Sequence, residues 1–301
     1  MDRRHFLATA VAAAAGGGGG ARAARAPDAR IMRTIAGSAE RLPAIGMGTW
    51  LTFAVGDDRG ERAPRAEVLR RFLDGGGRLI DSSPMYASAE EVVGDLLTTL
   101  GRAGDVFSAT KVWTTGRMFG ERQMYRSLGY WRLKRFDLVQ VHNLLDWETQ
   151  LPLLREWRAQ GRIRYVGVTT SHGRRHEQIE SMMRREPLDF VQFSYSLADR
   201  SVEQRLLPLA ADRGISVIAN RPFDGGDLFQ RVRGRTLPGW AAEIGIANWA
   251  QLFLKFVIAH PAVTCAIPAT SNPAHMSENI GALRGPLPDP RTLRLMAGLF
   301  G

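Results

Sequence analysis

The sequence predicts a closed (β/α)8 barrel, a TIM barrel, because eight strand-like runs alternate with helix-like segments along most of the chain. Each unit has a short apolar run, a polar loop and an amphipathic segment of about 10 to 15 residues. Eight such units in about 260 residues are typical of a barrel. The runs are LPAIGMGTW, RLID, VFSATK, FDLVQVH, IRYVGVTT, LDFVQFS, ISVIAN and VTCAIP. An open doubly wound sheet is the alternative, but the G-x-G-x-x-G loop typical of that fold is missing from the sequence.

Two segments depart from the simple alternation. IMRTIAGSAERLP, before the first barrel strand, predicts an N-terminal β-hairpin that closes the bottom of the barrel. FDGGDLFQRVRGRTLPGW, between the seventh and eighth strands, is a long loop for which we expect a function. Elsewhere, helix-like segments end at Gly101, Gly161 and Gly214, which predicts glycine C-caps.

Residues 1–30 predict a targeting segment rather than part of the barrel. Arg3 and Arg4 precede Phe6 and Leu7, and an alanine-rich run with five glycines follows. The stretch DRRHFL resembles a twin-arginine export signal, which implies contact with the export machinery and a periplasmic or otherwise exported protein. A disordered basic tail is the alternative. The apolar run is much shorter than the roughly 20 residues that span a bilayer, so we expect no stable membrane insertion.

The composition of the chain favours one barrel domain over residues 31–301. An apolar content of 45% can build a large core. Cys265 is the only cysteine, which excludes an intramolecular disulfide and a cysteine-based metal site, and we predict no metal. The net charge of +10 comes from arginines without a dense basic run, so we expect no nucleic-acid partner. A phosphorylated cofactor fits this charge.

Polar side chains stand at the predicted ends of successive strands. Asp81 ends the second strand, Lys111 the third and His142 the fourth, and Tyr86 lies in the loop after the second. Because the carboxyl ends of barrel strands meet at one face, we expect these four side chains in one mouth. Each has a simpler explanation by itself: a helix cap, a loop aromatic, a solvated lysine or a structural histidine. Such explanations are much weaker for all four together.

The four side chains suit proton and hydride transfer to a carbonyl. A tyrosine hydroxyl, with an ordinary pKa of about 10, is a poor acid or base at neutral pH. We expect the Lys111 cation to lower the pKa of Tyr86 and Asp81 to keep Lys111 charged. His142 can hydrogen-bond the substrate oxygen. The set lacks an activated nucleophile and the carboxylate pair of a glycosidase.

The ordered motifs resemble the aldo-keto reductase family over residues 31–301. GMGTW is similar to the family's G-x-G-T-W, and LIDSSPMYASAEEVVG to its D-T-A-x-x-Y-G-x-S-E-x-x-L-G. TKVW, QVHN, IRYVGVTT, FVQFSYS and AIPATSNPAHMSEN follow in the family's order. The resemblance implies a catalytic tetrad of Tyr86, Asp81, Lys111 and His142. It also implies a hydride from NADPH, with NADH as the alternative, a small-molecule aldehyde or ketone as substrate, and a monomer.

The resemblance further implies the cofactor-binding residues. Gln192 matches the glutamine that binds the nicotinamide carboxamide, and Thr169 and Thr170 replace the family's Ser-Asn pair. Asn220, Arg221 and Pro222 occupy the segment whose aromatic residue stacks on the nicotinamide. After the eighth strand, the implied contacts to the 2′-phosphate and adenine are Thr270, Ser271, His275, Glu278 and Asn279.

Several departures from the family fall on the cofactor side. Asn220 has no aromatic ring, Ala269 replaces a lysine, and His275 replaces an arginine, so two cations for the 2′-phosphate are missing. Arg221 is a candidate for a substitute charge. These departures leave a non-catalytic cofactor-binding or sensor protein as the alternative function.

We expect the substrate pocket to be lined by Trp50, Trp113 and residues of the 224–240 loop. Such a lining favours an apolar or aromatic carbonyl compound. Packing in the core or at the rim is the alternative for both tryptophans.

Overall fold

A computed structural model describes residues 30–300, so the predicted export signal lies outside the described residues. The hairpin strands are β1 (Met32–Thr34) and β2 (Arg41–Pro43). The barrel strands are β3 (Met47–Gly48), β4 (Leu79–Asp81), β5 (Phe107–Val112), β6 (Phe136–His142), β7 (Ile163–Thr169), β8 (Phe190–Ser194), β9 (Ser216–Asn220) and β10 (Val263–Ala266). The helices are α1 (Arg59–Asp74), α2 (Ala89–Thr99), α3 (Arg117–Trp131), α4 (Trp147–Ala159), α5 (His176–Arg185), α6 (Leu206–Arg213), α7 (Asp227–Arg231), α8 (Trp240–Glu243), α9 (Trp249–Ala259), α10 (Pro273–Gly281) and α11 (Pro290–Ala297).

The eight barrel strands form one parallel sheet in sequence order from β3 to β10. The sheet curves until its first and last strands meet through two bridges, between Ile45 and Ala266 and between Gly48 and Ala269. The backbone N–H of Gly46 donates to the carbonyl of Ala266 at 2.8 Å across this seam. The predicted (β/α)8 barrel is therefore confirmed as a nearly closed barrel.

The predicted first strand is divided in two. Leu42 and Pro43 pair within the hairpin, whereas Met47 pairs with the neighbouring barrel strand β4. Pro43 has no N–H to extend a ladder. Gly46 passes so close to β4 that an added Cβ would lie 2.8 Å from the carbonyl oxygen of Leu79. The chain therefore leaves the hairpin at proline and enters the barrel where glycine allows close approach.

The hairpin covers the N-terminal end of the barrel. Ile35 and Leu42, from the hairpin, pack in one buried cluster with Leu79, Phe107 and Phe190. The latter three each begin a barrel strand. Because the hairpin fills this end, access from solvent is left to the opposite end, where the strands terminate.

The helices follow the sequence pattern closely. Glycines 101, 161 and 214 all have positive φ (66°, 71° and 62°), which confirms the predicted C-cap conformation. Gly94 lets α2 lie against α3, since an added Cβ would lie 2.8 Å from the Cα of Trp131. In the long segment after β9, the short helices α7 and α8 replace an irregular loop. Between residues 30 and 300, no helix is long and apolar enough to cross a membrane.

Candidate active site

The carboxyl ends of the strands surround a cavity of about 470 Å³. This volume lies within the range of small-molecule sites. Nine of the residues predicted from the sequence line it: Trp50, Asp81, Tyr86, His142, Thr169, Gln192, Asn220, Arg221 and Pro222.

A buried ion pair lies beside the cavity. Lys111 Nζ donates to Asp81 Oδ2 at 2.6 Å and to the carbonyl of Ser82 at 2.8 Å. The other carboxylate oxygen, Oδ1, accepts from Gln192 Nε2 at 3.1 Å and from Gln140 Nε2 at 3.3 Å. Both charges are removed from solvent, and each therefore depends on the other for compensation.

Lys111 keeps its charge in this environment. Burial opposes the charged form, but the attraction of Asp81, together with Tyr86, outweighs burial and raises the pKa of Lys111 above its ordinary value. Its ammonium group lies 5.1 Å from the centre of the Tyr86 ring. The arrangement thus brings a permanent positive charge beside the phenol.

The pKa of Tyr86 is raised, not lowered. Burial is the largest cause and favours the neutral phenol, while the charge of Lys111 acts in the opposite direction and is the second largest. The predicted effect of Lys111, which lowers the pKa of Tyr86, is present but is smaller than the effect of burial, so the net shift is upward. A phenol that stays protonated is suited to give a proton to a developing alkoxide.

His142 lies next to Tyr86 in the wall of the cavity. The two ring centres are 5.7 Å apart, with the planes nearly perpendicular at 84°. Burial, and then the charge of Lys111, lower the pKa of His142 to about 2, so the imidazole is neutral. Its Nδ1 atom lies 2.8 Å from Ser83 Oγ. A neutral imidazole can still donate one N–H to a substrate oxygen.

The predicted carboxamide-binding residues and Asn220 form one hydrogen-bonded group. Thr169 Oγ1 donates to Gln192 Oε1 at 3.1 Å, and Asn220 Nδ2 donates to the carbonyl of Thr170 at 2.9 Å. Ser194 Oγ holds Asn220 by donating to its Oδ1 at 2.8 Å. Within the described chain, the buried hydroxyl of Thr170 has no partner. A buried polar atom without a partner fits the binding of a polar ligand group beside it.

Arg221 forms part of the cavity rim. It has a positive φ of 51°, and its guanidinium donates to His172 Nε2 at 2.9 Å. The carboxylate of Asp224 is 3.4 Å away. His172 in turn meets the edge of Trp50, with ring centres 6.3 Å apart. Arg174 also lines the cavity, so two arginines offer positive charge to an anionic ligand there.

The remaining predicted residues lie outside the cavity lining. Lys111 and Thr170 are buried, and Trp113, directly after β5, is 41% exposed. Beyond β10, five further residues lie on the connection to α10 or on α10 itself: Thr270, Ser271, His275, Glu278 and Asn279. Their proposed contacts with the cofactor remain predictions.

Several polar residues of the site were not predicted from the sequence, among them Gln140, Ser83, His172 and Arg174. Gln140 precedes His142 by two positions on β6, so both side chains point to the same side of the strand. Ser83, His172 and Arg174 follow strand ends, where a side chain can reach the cavity. Position relative to a strand end was the signal that could have identified them.

Comparison with known proteins agrees with this geometry. The model of the aldo/keto reductase family matches residues 44–295. This chain belongs to the aldo/keto reductase family. Family membership confirms the prediction of an NAD(P)H-dependent oxidoreductase on a TIM barrel.

Individual reductases resemble most of the barrel. Over 249 residues the chain is 30% identical to methylglyoxal reductase YeaE of Escherichia coli (strain K12), covering 80% of this chain and 86% of that protein. It is 28% identical to an NADH-specific methylglyoxal reductase of the same organism, over 72% of this chain and 74% of that one. An aldo-keto reductase from Klebsiella pneumoniae, solved in complex with NADPH, superposes with a TM-score of 0.75 at 27% identity, covering 90% of this chain and 95% of that chain.

Proposed function

We propose that the chain reduces a small aldehyde or ketone, with Tyr86 as the proton donor. The observation that carries the proposal is the convergence of Tyr86, His142 and the Lys111–Asp81 pair at one cavity. The bound nicotinamide cofactor supplies the hydride.

Tyr86 donates its phenolic proton to the carbonyl oxygen as negative charge develops there. Its raised pKa keeps the proton in place before the reaction. The adjacent Lys111 cation then stabilises the phenolate that remains, because the charge appears close to the ammonium group in a site with little water. Asp81 holds Lys111 in position through the 2.6 Å contact.

His142 orients the substrate. As a neutral imidazole it offers an N–H to the carbonyl oxygen without competing with Tyr86 as an acid. Two donors aimed at one oxygen fix the angle of the carbonyl and stabilise the developing oxyanion.

Residues at and beyond the carboxyl ends of the strands would hold the cofactor. Thr170, whose buried hydroxyl has no partner among the described residues, and Gln192 would contact the carboxamide. Arg221 would contribute positive charge toward the phosphates, and Thr270, Ser271, His275, Glu278 and Asn279 would contact the adenosine part. We propose NADPH as the cofactor and NADH as the alternative, since one similar protein is named for NADH specificity.

The substrate we propose is a small carbonyl compound such as methylglyoxal. Two similar bacterial proteins are named methylglyoxal reductases. Apolar lining from Trp50, Met85, Phe223 and Phe229 also suits an aromatic aldehyde.

The experiment compares the wild type with Tyr86→Phe in oxidation of NADPH and NADH, using methylglyoxal and benzaldehyde as substrates. Loss of the general acid should lower kcat by roughly 10²- to 10⁴-fold. The Kd for the cofactor, from fluorescence titration, should stay unchanged, because Tyr86→Phe removes only the hydroxyl. Equal kcat in the two proteins would contradict the role of Tyr86. Tight cofactor binding without turnover of any carbonyl would favour a binding or sensor protein instead.

We also propose export through the twin-arginine pathway. The support is the DRRHFL stretch and the alanine-rich run that follows it. The reductase would then act in the periplasm or otherwise outside the cytoplasm.

A further inference from the structure

We propose that Ser83 is a positioning residue that fixes the tautomer of His142 with its proton on Nε2. The inference rests on the proposed role of His142 as the donor to the carbonyl oxygen. A histidine in the other tautomer would present a lone pair where that role needs an N–H.

Ser83 has two polar contacts at its hydroxyl oxygen. The side chain is fully buried and follows β4 by two residues. Its Oγ lies 2.8 Å from His142 Nδ1 and accepts the backbone N–H of Met85 at 3.2 Å. The hydrogen bond from Met85 occupies one lone pair of the Ser83 hydroxyl. The direction of the contact with His142 then depends on where the hydroxyl proton points.

The hydroxyl proton of Ser83 needs an acceptor, because an unpaired buried donor is unfavourable. The backbone N–H of Met85 is a donor and cannot accept this proton. In the described chain, the acceptor within hydrogen-bond distance of Ser83 Oγ is His142 Nδ1. Ser83 therefore donates to Nδ1, and a neutral imidazole that accepts at Nδ1 must carry its proton on Nε2.

The other ring nitrogen remains available to a ligand. His142 lines the cavity, and its Nε2 atom has no hydrogen-bond partner within residues 30–300. This atom is also not fully buried, so a ligand can reach it. The contact from Ser83 thus leaves the N–H of His142 on the atom that is still free to donate to a substrate oxygen.

The contact between Ser83 and His142 depends on a residue that departs from the family motif. Ser83 stands where the family pattern D-T-A-x-x-Y has alanine. Alanine has no hydroxyl with which to contact the imidazole, so in this chain one buried hydroxyl has been added next to the histidine.

The first test measures the tautomer directly. Nitrogen-15 labelling with long-range nitrogen–proton correlation distinguishes a protonated from an unprotonated ring nitrogen in each of the six histidines, and His142→Gln identifies the signal of interest. The wild type should show protonated Nε2 and unprotonated Nδ1 for His142 at pH 7. The opposite assignment would overturn the inference. Because this readout needs no turnover, it stands even if the protein reduces no carbonyl that is tried.

The second test removes the hydroxyl. In Ser83→Ala, the His142 signals should become those of a tautomer mixture, and kcat/KM for the carbonyl should fall roughly three- to tenfold. The Kd for NADPH should not change. Ser83→Thr keeps the hydroxyl and should restore the single tautomer. Unchanged signals together with unchanged kcat/KM in Ser83→Ala would refute the role of Ser83.

Ser216→Ala is the matched control. Ser216 is equally buried and its Oγ accepts the backbone N–H of Ala36 at 2.9 Å, but it begins β9 at the hairpin end of the barrel. This variant loses a comparable hydroxyl and should change neither the His142 signals nor kcat/KM. A Ser216→Ala protein with the same kinetic defect would show that any buried serine has this effect, against a specific role for Ser83.

Discussion

Replacing Asp81 with asparagine should expose how strongly the site depends on its buried ion pair. Asp81 Oδ2 accepts from Lys111, while Oδ1 accepts from Gln140 and Gln192. An amide has one oxygen and one NH2 group, so it can satisfy only one of these two sides. Either the lysine or the two glutamines must lose an acceptor, and the buried lysine would lose its compensating charge.

The size of the effect follows from the burial of the pair. The side chains of Lys111 and Asp81 are 0% and 3% exposed. Breaking a buried pair by removing one partner costs about 3–5 kcal/mol. The unfolding entropy of a barrel of about 270 residues is roughly 0.6 kcal/mol/K, so Tm should fall by about 5–8 °C. Without the charge of Asp81, the largest effect that opposes burial is lost, so the pKa of Lys111 should fall and kcat/KM should drop at least about tenfold.

Thermal unfolding followed by circular dichroism, with NADPH-dependent carbonyl reduction alongside, measures both effects. Glu156→Gln is the control, because its contact with Arg117 joins side chains that are 47% and 52% exposed and should matter little. The double variant Asp81→Leu/Lys111→Met removes both charges. Its loss of Tm should be smaller than the sum of the losses in the two single variants. An Asp81→Asn protein with the Tm of the wild type would refute this account of the pair.

Three further predictions concern the pH dependence of the reaction, helix packing and export. The rate of carbonyl reduction should be flat from about pH 5 to 9, because His142, with a pKa of about 2, stays neutral and Tyr86, with a raised pKa, stays protonated. Activity should fall only above about pH 10. An inflection of the rate near pH 6.5 would contradict the neutral imidazole. Gly94→Ala should lower stability by about 1–3 kcal/mol in urea unfolding, because its Cβ has no room against α3. Gly129→Ala, on α3 with nothing within 4 Å of the added Cβ, should not destabilise. Arg3→Lys with Arg4→Lys should retain the protein in the cytoplasm upon cell fractionation, and undiminished export would count against a twin-arginine signal.

Much of the fold follows from local pattern, but contacts between distant segments do not. β6 coincides with the predicted run FDLVQVH, since a β-rich run between polar loops has clear limits. The division between β2 and β3 was missed because Leu42 and Pro43 suit either a hairpin or a barrel strand. Only the approach of Gly46 to Leu79, 33 positions away, decides between them.

The site shows the same limit. The order of Asp81, Lys111 and His142 along the strands was enough to bring them together, because barrel geometry converts sequence position into proximity. The sign of the pKa shift of Tyr86 could not be obtained in this way. It depends on how much water the surrounding side chains exclude, and burial exceeds the effect of Lys111. The contact between Ser83 and His142 likewise depends on two rotamers chosen 59 positions apart.

The position of the hairpin bears on how the protein can be handled. Arg30 joins the barrel in a cleft shared with Arg78 and Arg102, at the end that the hairpin covers. Whatever is attached ahead of residue 30 is therefore joined to the barrel at the far pole from Tyr86. A bead, a fluorescent fusion or an uncleaved leader fixed there would leave the reactive end facing outward, and immobilisation through the amino terminus should preserve turnover.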